Sequence, residues 1–123
     1  MALEKLVFDE GSLLNNKLLE LSMENQRTIA NNIANADTPG YTKFKIDYQK
    51  KLGDVLKNGN TEELGNFRGK LEKDDTNPAR EDGNNVQLGQ EMTDMMQNSA
   101  LYSLLSKAFT TRMSIIKNAI SSR

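Results

Sequence analysis

Two common starting points for chemistry are missing from this 123-residue chain, which has neither histidine nor cysteine. The commonest general base, the commonest metal ligand and every thiolate site are absent together. The remaining Ser, Lys, Asp and Glu side chains form no nucleophile motif and no glycine-rich phosphate loop. No catalysis, metal, cofactor or small-molecule substrate is expected of them. The notable polar groups are amides. The stretch TIANNIANADTPGY, residues 28–41, sets Asn31, Asn32 and Asn35 beside Ala30 and Ala34 and ends in Thr38, Pro39, Gly40 and Tyr41. With Asn25, these amides disfavour a helix by about 2–3 kcal/mol relative to alanine. They have two explanations: fraying at a helix end, where Asn is common, or hydrogen bonds across a subunit contact, where a mismatch is costly. Spacing alone leaves both open.

The amides need a helix to carry them, and the spacing predicts one over residues 12–36. Leu14, Leu18 and Leu21 fall on one stripe, and Ile29 and Ile33 on a neighbouring one. Thr38 precedes a proline and is pushed out of the helical region. Pro39-Gly40 suits the centre of a type II turn, where Gly accepts a positive φ. Phe44, Ile46 and Tyr48 then alternate with charged residues, an extended pattern. Leu52, Val55 and Leu56 allow about one further helical turn.

A second helix is predicted from Leu88, with Asn84 and Gln87 as a capping-box-like start. Four-three spacing selects Leu88, Met92, Met95, Ser99, Tyr102, Ser106, Phe109, Met113, Ile116 and Ile120, of which eight are apolar. This is the period of a left-handed coiled-coil seam. Leu101, Leu105, Ala108 and Ile115 widen it, so one partner helix leaves part of the stripe open. Residues 57–87 are different: 12 of 31 are charged, and their large apolar side chains are Leu64, Phe67, Leu71 and Val86. Such composition favours mobility over a packed core.

The expected fold is mainly α. An N-terminal helix in residues 1–36 and a heptad helix in residues 88–123 form an antiparallel-type coiled coil around a polar, partly extended and mobile middle at 37–87. The middle is too polar to cover both helices, so they must pair with each other and with further copies or other proteins. Sixteen basic and seventeen acidic residues are mixed along the chain, giving a net charge of −1 and no basic face for nucleic acid. The longest uncharged run, residues 95–106, is too short to span a membrane. Glu4 and Asp9 interrupt the place of a signal-peptide apolar run, so a cleaved secretion route is not expected.

The segment NNIANADTPGY, residues 31–41, closely resembles the N-terminal signature of bacterial flagellar rod and hook axial proteins. Ala30, Asn31, Asn32, Ala34, Asn35, Thr38, Gly40 and Tyr41 fill its positions. The stretch DGNNVQLGQEM and the following helix, residues 82–120, resemble the proximal rod members, as does FKIDYQKKL. Gln87 and Gly89 depart from the acidic neighbours frequent there. The resemblance implies a structural protein of the basal-body rod, on the periplasmic side, exported without a cleaved signal peptide. It implies self-assembly with other proximal rod proteins into a torque-transmitting tube, near the MS-ring and the flagellar export gate. A soluble coiled-coil adaptor or export chaperone is the alternative that two amphipathic helices allow.

Overall fold

The computed structural model describes residues 10–122. Glu4 and Asp9, the start of the segment assigned to 1–36, and Arg123 lie outside them. Helix α1 runs Glu10–Ala34, strand β1 Phe44–Asp47, helix α2 Gln49–Asn58, helix α3 Thr61–Asn66, strand β2 Lys70–Lys73 and helix α4 Leu88–Ser121. At 1.5 Å per residue, α1 is about 37 Å long and α4 about 51 Å. Asn32 bonds to Glu91, whereas Ser22 bonds to Asn98, so the two helices pack antiparallel. No described helix is long and apolar enough to cross a membrane.

The strands pair antiparallel, Phe44 with Lys73 and Ile46 with Leu71, which turns the chain back beside α1. Leu21, Leu52, Leu64 and Phe67 form the buried cluster, with Leu13, Leu14, Leu18, Tyr48 and Val55 packed against it. The leucine stripe of α1 thus covers α2 and α3. Residues 57–87 contribute elements that their average composition hides. Leu64 and Phe67 join the buried cluster, and Lys17 ties α3 down by donating to the carbonyls of Gly65 (3.2 Å) and Phe67 (2.9 Å). Asn60 caps α3 by accepting from the Glu63 amide.

The α1–α4 contact is polar along much of its length. Asn98, buried in α4, donates to the Ser22 carbonyl (2.8 Å) and the Gln26 side chain (2.7 Å) and accepts from Asn25 (3.1 Å). Gln26 also donates to Ser99. A fully satisfied amide between helices fixes their register, because sliding by one turn strands every partner.

Candidate functional site

The amide-rich end of α1 meets the loop before α4, and the geometry answers what the amides do. Asn32 is 1% exposed. Its Nδ2 donates to the Phe44 carbonyl (2.9 Å) and to Glu91 Oε2 (3.1 Å). Its Oδ1 accepts from the Phe44 amide (3.0 Å) and the Tyr41 hydroxyl (2.9 Å). Both donors and both lone pairs are used, so Asn32 has nothing left for another subunit. Asn35 stays local, donating to the Asn31 carbonyl and accepting from the Thr38 hydroxyl. At Asn32 the bonds are within the chain; at Asn35 the structure gives a helix-end bond that uses one of its two amide protons. Asn31, Ala30 and Ala34 remain exposed.

The loop supplies the matching half. Asn84 is fully buried and donates to the carbonyls of Asn35 (2.8 Å) and Thr38 (2.9 Å), capping the end of α1 from about fifty residues away. The expected capping box at the start of α4 is not made. Gln87 is the N-cap without a side-chain bond, and Asn84 Oδ1 accepts instead from the Val86 amide. The reason is that the Val86 amide takes the Asn84 oxygen a capping box would use, in an orientation set by the Asn35 and Thr38 carbonyls. Asn85 accepts from the Lys43 amide and donates to the Asp74 carbonyl. Arg80 donates to the carbonyls of Ala36 and Val86. The expected turn is present, with the Tyr41 amide bonded to the Thr38 carbonyl. Gly40 (φ 75°) and Gly83 (φ 84°) lie back to back; a Cβ on Gly83 would stand 3.2 Å from Gly40 Cα. Glycine is needed at Gly83 for both conformation and closeness.

Beneath the turn sits a buried charge cluster. Lys43 Nζ is 2.9 Å from Glu91 Oε1 and 3.6 Å from Asp74 Oδ2. Burial pushes the Lys43 ammonium down, but the hydrogen bond and charge of Glu91, then Asp74 and Asp94, outweigh it and leave the pKa raised. Burial pushes the Asp74 carboxyl up. The Thr76 hydroxyl and amide, with Lys43 and Lys45, reverse that and hold it below its ordinary value. Burial, then the charge of Glu91, raises the Tyr41 phenol. The cluster joins three segments distant in sequence and has the chemistry of a structural clasp.

The description "Flagella basal body rod protein" belongs to a family model that matches residues 24–42, the end of α1 and the turn described above. The flagellar basal body rod protein FlgB of Borrelia hermsii is 30% identical over 119 residues, covering 81% of this chain and 87% of that protein. The FlgB of Salmonella typhimurium is 33% identical over 104 residues, covering 70% and 75%. This chain belongs to the FlgB family of flagellar basal-body rod proteins. A further relative, from Bacillus subtilis, is 27% identical over 106 residues, 77% of this chain and 81% of that protein. The segment that matches the family model holds Asn25, Asn32 and Tyr41, which reach α4 directly or through one another. The signature of this FlgB-family chain is thus a joint between its two long helices.

Along α4 the heptad residues occupy a wider surface than one seam. At about 100° per residue, Glu91, Asn98, Leu105 and Ile116 fall on the line facing α1. Tyr102, Phe109, Met113 and Ile120 fall along the edge of the same line, within about 60° of it, and are 36–51% exposed. Leu88 (48%) and Met92 (53%) are also open, while Met95 is half-buried. Leu101, Leu104, Ala108 and Ile115 fall to one side, with Leu104 66% and Ile115 60% exposed. On α1, Ile29 is buried and Ile33 half-buried. Sequence reasoning missed Lys43, Glu91 and Asn98. The only local sign was a lone acid and a lone amide set among apolar heptad positions.

Proposed function

We propose that the chain, a structural subunit of the flagellar rod, builds the tube through the two open apolar flanks of α4. The observation that carries this reading is that α1 covers the middle of the α4 stripe and leaves an apolar strip on each side. Two different strips on opposite sides of one helix form a heterologous contact, through which each copy can bind the next in a ring or a helical array. Burial of those strips drives assembly at about 25 cal/mol per Å². The clasp of Asn32, Lys43, Asn84 and Glu91 holds α1 and α4 in one register, so that load passes along packed helices.

In this reading the partners are copies of the chain and the other proximal rod proteins, with the MS-ring and export gate at the base, on the periplasmic side. Of the motif residues, exposed Ala30, Asn31, Ala34, Thr38, Pro39 and Gly40 are the ones placed to touch neighbours. Leu14, Leu18, Leu21, Ile29 and Ile33 serve the subunit's own packing. The experiment is to locate a tagged chain in purified basal bodies and fit it to their density. α4 should lie between neighbouring helices on both flanks. A chain confined to the cytoplasm would overturn the reading in favour of a helical adaptor.

A further inference from the structure

We infer that Met92 and Met96 form an oxidation site that disables one flank of α4 and spares the other. The inference rests on the rod-subunit reading and adds a chemical control on one of its two surfaces. The chain has six methionines and no cysteine, histidine or tryptophan, so thioethers are its most readily oxidised side chains. Among the described residues, Met96 is 73% exposed and Met92 53%, whereas Met95 is half-buried. Access of the oxidant decides which thioether reacts, so Met96 leads and Met95 trails.

Position makes the reaction one-sided. At about 100° per residue, Met92 and Met96 lie about 100–140° round α4 from the Glu91 line that faces α1. Leu101, Leu104, Ala108 and Ile115 lie about 80–140° round in the other direction, and their aliphatic side chains do not react. Exposed Met23 of α1 borders the groove on the methionine side, with Ser99 and Ser103. That flank therefore draws much of its apolar character from thioethers.

The step needs only a peroxide. A lone pair of Met96 Sδ attacks one peroxide oxygen, an S–O bond forms, the O–O bond breaks, and the other oxygen leaves as water with both hydrogens. The thioether is oxidised and the peroxide reduced. The product is a polar, chiral sulfoxide on a face that the rod-subunit reading buries against a neighbour. It forms outside the α1–α4 contact, so the subunit's own fold is left intact.

To test this, the purified chain is treated with hydrogen peroxide and its sulfoxides are mapped over time by peptide mass spectrometry. Met96 should react first, then Met92 and Met23, several-fold ahead of Met95. Helix content by circular dichroism should not change, and methionine sulfoxide reductase should reverse the products. Met95 reacting as fast as Met96, or loss of helix as Met96 is oxidised, overturns the inference. The effect on assembly is read by comparing Met92→Gln/Met96→Gln, which mimics the polarity of the sulfoxide, with Met92→Leu/Met96→Leu, which cannot be oxidised there. The Leu variant should enter basal bodies like the unmodified chain, and the Gln variant should be largely excluded while keeping its helix content. Equal entry or equal exclusion of the two variants overturns the inference and leaves the rod reading standing. Tagged unmodified chain absent from basal bodies overturns the rod reading itself.

Discussion

Replacing Glu91 with alanine tests whether the clasp holds the two helices together. Both carboxylate oxygens are engaged, one by Lys43 at 2.9 Å and the other by Asn32 at 3.1 Å, and the residue is 1% exposed. Its removal leaves a buried ammonium and a buried amide proton without their partner. Removing one member of a buried pair costs about 3–5 kcal/mol. Lys43 keeps Asp74 at 3.6 Å, which places the cost near the lower end, about 3 kcal/mol. For a urea slope of about 1.5–2 kcal/mol/M, the unfolding midpoint should fall by about 1.5–2 M with the slope unchanged. The double variant Lys43→Met with Glu91→Leu should lose less than the two single changes summed, because Lys43 and Glu91 leave together and Asp74 keeps its bonds from Thr76. Its residual cost of about 1–3 kcal/mol is the Asn32 amide left unpaired. A Glu91→Ala cost below about 1 kcal/mol, or strict additivity in the double variant, would refute the reasoning.

Stability should be flat from about pH 5 to 9.5 and fall on both sides. The depressed Asp74 carboxyl contributes above its ordinary 3.8 and is lost on acidification through its lower folded value. Raised Tyr41 and Lys43 contribute fully below 10.0 and 10.5 and are lost as pH rises through their folded values. Urea titrations across pH should trace this plateau, and Asp74→Asn should flatten its acid edge. Asn84→Ala should cost about 1–3 kcal/mol by thermal or urea unfolding, since it leaves the Val86 amide without its acceptor and takes one of two donors from each of the Asn35 and Thr38 carbonyls just beyond α1. Leu104→Glu, at an exposed site, should change monomer stability by no more than about 0.5 kcal/mol. It should nevertheless abolish incorporation into basal bodies and swimming in soft agar.

The fold was legible in the sequence where the information is local. Period fixed both long helices, and Thr38-Pro39-Gly40 marked the break after α1. Alternation marked β1, and the absence of histidine and cysteine narrowed the chemistry. The TPGY and DGNNV segments were recognisable, but not that they touch. In residues 57–87 composition showed a polar segment but not that Leu64 and Phe67, diluted in an average over 31 residues, join the buried cluster.

By itself, then, the sequence determined that the ends are helical, that α4 is more apolar than one partner can cover, and that an amide-rich helix end stops at a turn. Tertiary structure alone decided how those surfaces are spent. The α1 leucines go to α2 and α3, Asn98 and Glu91 face α1, and Asn32 and Asn84 bond within the chain. The reason is physical. Periodicity reports that a face is apolar or polar but not what will cover it, and a hydrogen-bond partner some fifty residues away leaves no trace in local spacing. Chain closure chose among the available partners, and the two flanks of α4 are what it left uncovered.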